Sequence, residues 1–229
     1  MESRCENCII RQFNSLRALS KEELIKVSNA KTSKKIKKGD SLFLEGQKLD
    51  GVYCVRNGVS KLSKLSSNGK EQIVKLTNIG EIMGQRSVIA EDYTNLSATA
   101  INDMEVCFIP KEIITNTLNT NPYFSLEVLR HMAHDLKEAD DVIVNMSQKT
   151  VKQRLAEALL YLKKNYGEDD NGFLQLSLSR DDYANIVGAA TESLIRMISD
   201  FKKKGLLKTE GKKIGIVNEC ALKELVDGF

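Results

Sequence analysis

Only two histidines and two prolines occur among the 229 residues, and tryptophan is absent. The scarcity of histidine is the most informative. His131 and His134 lie three apart in a stretch of helical periodicity, with no third metal ligand in view. They read as surface or helix-rim side chains, which leaves hydrolytic or group-transfer chemistry without an apparatus. A P-loop and a dinucleotide-type glycine pattern are missing too, so the chain is expected not to be an enzyme. No apolar run approaches the roughly 20 residues of a membrane helix. The start, "MESRCENCIIRQ", lacks the basic-then-apolar layout of a secretory leader. A cytoplasmic protein with no membrane partner is expected. The net charge of +3 is small, so any nucleic-acid footprint must be a local patch. Internal repeats and low-complexity linkers are absent.

What is present is ordinary in bulk and specific in order. At 41% hydrophobic and 28% charged, the composition is that of a globular protein with a real core. Five cysteines in a cytoplasmic chain argue for thiols or metal ligands rather than a disulfide framework. From Lys34 to about Ile109, short apolar segments alternate with turn signals. "VRNGVSKLSKLSSNGKEQIVKL" holds two Asn-Gly pairs, whose positive φ angles suit tight hairpins. The spacing predicts a meander of short antiparallel strands closing into a barrel or sandwich. The basic tract Lys31–Lys38 leads into this region and reads as solvated edge charge.

After Pro110 the period changes. Leu129, Met132, Leu136, Ala139, Ile143 and Met146 repeat at spacings of three and four, an a/d seam on one long helix. Such a seam can pack on its own barrel or on the same helix of a second subunit. Its regularity beside the charged "DLKEADD" favours the homodimer. A further amphipathic helix follows over 151–167, and "FLQLSLS" reads as a strand. Three regions result: a sensor domain at 1–120, a dimerisation helix at 121–147 and a second domain at 148–229.

Within the last region stands "LSRDDYANIVGAATESLIRMISDFKKKGLLKTEGKKIGIV". Ser179 suits an N-cap, and Asp181 and Asp182 fall in a first turn, where the helix dipole favours negative charge. Gly188 can end the helix in a left-handed conformation. A second helix starts near Thr191, with Leu194, Ile198 and Phe201 as buried candidates and Ile195 ambiguous. Thr191, Glu192, Ser193 and Arg196 occupy its exposed start. Arginine can hold a guanine edge with two hydrogen bonds, and glutamate can accept from cytosine. Glu192 and Arg196 could equally be a plain surface ion pair. Seven basic residues against two acidic ones between Arg196 and Lys213 tip the balance. Lys203 and Lys204, with Arg180, are candidates to hold phosphates. "LLKTEGKKIGIV" forms a hairpin after them, the order of a winged helix-turn-helix.

Taken together, "GEIMGQRSVIA", "EVCFIP", "VKQRLAEALL" and the stretch quoted above resemble the Crp/Fnr family of bacterial transcription regulators, closer to its Fnr-like branch, over roughly residues 5–225. The resemblance implies an α+β chain: a cyclic-nucleotide-binding-type β-roll, a long dimerisation helix and a C-terminal winged helix-turn-helix. It implies an inverted-repeat operator on double-stranded DNA, read through Glu192 and Arg196, and RNA polymerase as a partner. An effector pocket would involve Gly80, Gly84, Gln85, Arg86 and Ser97. Members that bind cyclic AMP carry a glutamate for the ribose and an arginine for the cyclic phosphate. Here Gln85 and Leu96 stand at those places, and Ala139 and Asp140 replace a Thr-Ser pair, so cyclic AMP is not expected. Oxygen-sensing members hold a [4Fe–4S] cluster on three N-terminal cysteines and one in the β-roll. Cys5, Cys8 and Cys107 match three of the four, while the remaining place falls on Asn14. Bare thiols, an iron–sulfur cluster on these three and a zinc ion all stay open. Cys54 reads as a small buried core residue, and Cys220 has no role. The competing reading is a small-molecule or redox-sensing β-roll module acting through protein partners.

Overall fold

Glycine-bearing turns deliver the strands of the first half, but not to their sequence neighbours. In the computed structural model, which describes residues 4–228, the strands are β1 (Thr32–Ile36), β2 (Ser41–Phe43), β3 (Gly51–Asn57) and β4 (Ser60–Leu65), then β5 (Glu71–Thr77), β6 (Ile82–Met83), β7 (Ser97–Ala100) and β8 (Met104–Pro110). They form two four-stranded sheets in the orders β1-β8-β3-β6 and β2-β7-β4-β5. The expected meander is therefore corrected. The turn at Asn57-Gly58 sends the chain from one sheet to the other, and only β4 and β5 are consecutive neighbours. At both Asn-Gly pairs the glycine alone has positive φ, 87° at Gly58 and 79° at Gly69. Neither is the mirror-image turn, which needs positive φ at both central residues.

The helices are α1 (Lys21–Ala30), α2 (Gln85–Ala90), α3 (Lys111–Thr120), α4 (Pro122–Gln148), α5 (Val151–Tyr166), α6 (Arg180–Val187), α7 (Thr191–Lys203) and α8 (Glu219–Asp227). Strands β9 (Leu207–Glu210) and β10 (Lys213–Ile216) pair antiparallel. The architecture is α+β, and it divides into two compact units, Met1–Lys64 with Val74–Ala139 and Leu65–Ile73 with Asp140–Phe229.

In the first unit, β3 and β8 are buried on both faces, as the period of two sorts them. Tyr53, Val55, Met104 and Val106 point into the core between the sheets. Val52 and Ile109 point the other way, into a core with Cys5, Leu16, Leu19, Val27, Phe124 and Val128. The N-terminal segment runs as short 3-10 turns over Cys5–Asn7, Ile9–Phe13 and Ser15–Ala18 and packs on that second face. Strand β1 is an exposed edge, in keeping with solvated lysines. Lys31, just ahead of it, departs from this and is buried.

The second unit is built on α5, whose Thr150 and Gln153 form a reciprocal capping box. Leu155, Leu159 and Leu162 are buried with Leu174, Leu176, Leu178, Tyr183 and Leu222. "FLQLSLS" alternates in burial as a strand would, yet only the bridge Glu168–Leu174 forms. Its backbone is extended, and Leu174 donates to Ile214 of β10 at 2.8 Å.

Candidate nucleic-acid interface and sensor sites

Local chemistry sets the two helices of the reading motif. The Ser179 hydroxyl accepts from the Asp182 amide at 3.0 Å, and Asp182 accepts back from the Ser179 amide at 3.2 Å. Gly188 ends α6 with φ 65° and ψ 48°, the left-handed conformation a β-carbon disfavours. Tyr183, Ala184 and Val187 are buried on α6, while Leu194, Ile198 and Phe201 anchor α7. Ile186, also on α6, is only half-buried.

That anchoring decides what α7 presents outward. Glu192, Ser193, Ile195 and Arg196 are exposed, Ile195 at 49%. Glu192 and Arg196 do not pair with each other, so the plain surface ion pair is not formed. Among the described residues neither they nor Lys202, Lys203 and Lys212 enter an ion pair. Thr191 instead donates to Asp181 at 2.7 Å and locks the helix angle. Arg180 donates to the wing-tip carbonyls of Lys212 and Gly211 at 3.1 and 3.2 Å, fixing the β9–β10 wing to the start of α6. Lys204 pairs with Asp200 at 3.1 Å. Lys208 and Lys213 are spent on the wing base, against Asn171, Asp169 and the Phe173 ring.

Along α4, Leu129, Leu136 and Ile143 are 65%, 64% and 66% exposed. Ala139 is also exposed, and Met146 half-buried. Met132 packs against the first unit's own core. Most of the seam thus lies open on a single chain. At the end of α4, Arg154 of α5 donates to the carbonyls of Met146 and Lys149 at 3.1 and 2.6 Å and to Val187, the last residue of α6, at 2.8 Å. One guanidinium therefore closes the C-terminal ends of two helices, whose last carbonyls lack partners within the helix.

A pocket of about 270 Å³ lies between the β-roll and α4, lined by Gly84, Gln85, Arg86, Leu96, Asp135 and Ala139 among others. Gly80 and Ser97 are not among its lining residues. Gly80 lies beneath the N-terminal segment, where a β-carbon would meet Phe13, and its carbonyl accepts from Asn14 at 2.7 Å. Ser97 accepts from the Glu45 amide at 2.9 Å. Beside the pocket Lys75 reaches Asp135 at 2.7 Å, Glu138 at 3.1 Å and Glu81 at 3.4 Å. Burial works to lower the Lys75 pKa, but the three carboxylates outweigh it and hold it above its ordinary value. Glu81 is itself pushed up by burial, against the pull of Lys75. His134, Asp135 and Glu138 could in principle grip a cation, and the Lys75 ammonium already answers two of them.

The cysteines come together more fully than the sequence suggests. Cys5 and Cys8 lie in the N-terminal turns, Cys5 buried and Cys8 half-buried. Cys107 on β8 and Cys54 on β3 are both buried and stand directly opposite each other in the antiparallel ladder. Burial first, then the charges of Cys107, Cys8 and Cys5, pushes the Cys54 thiol up to about 12. Burial likewise raises Cys5. Asn14, fully buried, directs its amide at the Cys54 sulfur at 3.5 Å. The buried Lys31 ammonium lies 3.6 Å from the Cys107 sulfur. Sequence reading set Asn14 at the remaining ligand place and Lys31 in the edge tract, but not their contacts with Cys54 and Cys107, which have no local signal. Cys220, on α8, is exposed.

A short helix packed under an exposed helix, closed by a two-stranded wing and rimmed with lysines, defines a winged helix-turn-helix DNA-binding regulator. Residues 33–121 match the cyclic nucleotide-binding domain family, and residues 153–225 the Crp-like helix-turn-helix domain family. The Fumarate and nitrate reduction regulatory protein of Escherichia coli K12 is 30% identical over 226 residues, covering 96% of this chain and 89% of the relative. The Anaerobic regulatory protein of Aggregatibacter actinomycetemcomitans is 30% identical, covering 96% and 87%. Among solved structures, a Crp/Fnr-family regulator from Eubacterium rectale superposes with a TM-score of 0.79 at 20% identity, covering 93% of this chain and 97% of that one. FixK2 from Bradyrhizobium japonicum gives 0.75 at 24% identity, covering 85% and 96%. The chain belongs to the Crp/Fnr family of transcription regulators, on its Fnr-like branch. It is a DNA-binding transcription regulator and not an enzyme. Among the described residues no helix is long and apolar enough to cross a membrane.

Proposed function

We propose that the protein works in the cytoplasm as a homodimer that reads an inverted-repeat operator and communicates with RNA polymerase. Residues 1–120 act as sensor, 121–147 as dimer helix and 148–229 as reader. The observation that carries this is the outward face of α7, where Glu192 and Arg196 are exposed four residues apart and free of each other. Two such helices, joined through the open seam of α4, fit successive major grooves about one helical turn apart. Arg180 contributes by holding the wing, Thr191 and Ser193 by setting and flanking the reading face, and Lys203 and Lys204 by meeting phosphates. Selection from a pool of random duplexes at moderate salt tests this. An inverted repeat should be enriched. Recovery of no sequence would favour a β-roll module acting through protein partners.

The phosphate assignment has its own readout. Lys203→Ala should weaken binding to all sequences alike and reduce the salt slope by about one per half-site. Lys204→Ala should do less, since Asp200 already neutralises Lys204. A loss confined to one operator sequence would make Lys203 a base contact instead.

For the input end, cyclic AMP is a poor fit. Gln85 and Leu96 offer no carboxylate for a ribose and no cation for a phosphate at the places where cyclic-AMP-binding members carry them, and Arg86 is the one cation among the lining residues. The thiols are the better sensor. Soft sulfur donors suit iron–sulfur or zinc centres, and Cys5, Cys8 and Cys107 are the residues that would hold an iron–sulfur cluster. Such a group would supply sensitivity to oxidants. The buried Lys31 ammonium beside Cys107 suits a negatively charged thiolate centre.

A further inference from the structure

We propose that Cys54 is the fourth sulfur ligand of this centre, supplied by strand β3 in place of a cysteine in the N-terminal segment. The inference rests on the thiolate-centre reading above. Three independent features carry it. First, Cys54 and Cys107 are Cα partners across β3 and β8, so their side chains leave the sheet on the same face, about 4.5–5.5 Å apart at Cβ. That face is the one covered by the N-terminal turns bearing Cys5 and Cys8, since Val52 and Ile109, two residues along each strand, share a core with Cys5.

Second, position 14 is where the resemblance to the oxygen-sensing members implies the remaining N-terminal ligand. Asn14 is buried, and its amide nitrogen lies 3.5 Å from the Cys54 sulfur. A ligand atom displayed from position 14 and one displayed from position 54 thus reach nearly the same place. The strand provides what the segment lacks. Asn14 is then left to brace the segment, donating to Gly80 at 2.7 Å and accepting from Leu16 at 3.0 Å.

Third, the spacing of the sulfurs argues against a single metal ion. No three of the four sulfurs lie within 4.8 Å of one another, the only such group among the described residues being His134, Asp135 and Glu138. A single tetrahedral zinc with Zn–S bonds near 2.3 Å needs its sulfurs about 3.8 Å apart. A cluster whose irons each take one thiolate accepts a wider ring.

Iron, acid-labile sulfide and visible absorption, measured on the full-length protein purified without oxygen, test the assignment. Wild type should carry about four iron and four sulfide per chain. Cys54→Ala should lose most of both, and Cys54→Ser, which keeps the side-chain shape, should do the same while melting like metal-free wild type. The pair Asn14→Cys with Cys54→Ala should recover more than half of the iron. Wild-type iron and spectrum in Cys54→Ala would overturn the role of Cys54 and leave the three-cysteine centre standing. Iron-free wild type after anaerobic reconstitution, unchanged by Cys8→Ala, would remove the centre itself. One zinc per chain without sulfide would overturn the polynuclear assignment.

Discussion

Replacing Leu136 and Ile143 together by glutamate is expected to turn a dimer into monomers and lower operator affinity roughly 10²- to 10⁴-fold. Both side chains are about two-thirds exposed on a single chain, and with Leu129 they repeat every seven residues along α4. Burying a leucine or isoleucine fully is worth about 1.5–3 kcal/mol. A row of three left in water on one helix is therefore a strong demand for a partner. In a two-fold pairing each seam position meets its own copy or a near neighbour, so the four glutamates would be held together in an apolar strip. Like charges in such a strip cannot be relieved by small rotations. Sedimentation or light scattering reads the oligomer, and a gel shift on full and half operators reads the consequence. Half-site binding should be nearly unchanged while full-site binding collapses. A double variant that still sediments as a dimer would rule out α4 as the interface.

Arg196→Ala should cost roughly 1–3 kcal/mol per half-site, about 5- to 150-fold, and relax preference at one guanine position. Arg196 is exposed, four residues from Glu192, on a helix whose opposite side is fixed by Leu194, Ile198 and Phe201. Its direction is thus set by the core rather than by a surface partner. A panel of operators changed one base pair at a time gives the readout. A flat loss across the panel would make Arg196 a phosphate contact. Exposed Ile195, between the two polar readers, has the chemistry to touch a thymine methyl and gives the same panel a second use.

The reading end was legible because its determinants are local. A serine cap, two early aspartates and a glycine able to turn left-handed lie within ten residues, and each acts on backbone within a turn of itself. The long helix was legible for the same reason: the seam is a period, and a period needs no partner to be seen. Elsewhere the determinants are distant. Asn57-Gly58 announces a turn but not which sheet the chain enters next. "FLQLSLS" has the alternation of a strand but no second edge to pair with. Cys54 looks like any small residue of a buried strand. Only the register that sets it against Cys107, and a loop that brings Asn14 from 40 positions away, give it company. Lys31 changed meaning in the same way, from edge charge to buried cation.

Arg154 has a mechanical consequence. Because one planar guanidinium grips carbonyls at the ends of α4 and of α6, the end of α4 and the reading motif are tied together. In the proposed homodimer, a turn of the end of α4 would carry the reading motif with it, and the separation of the two motifs must match the pitch of DNA. Tight or loose binding by such a dimer would then be a matter of angle, with the contacts inside each head left as they were.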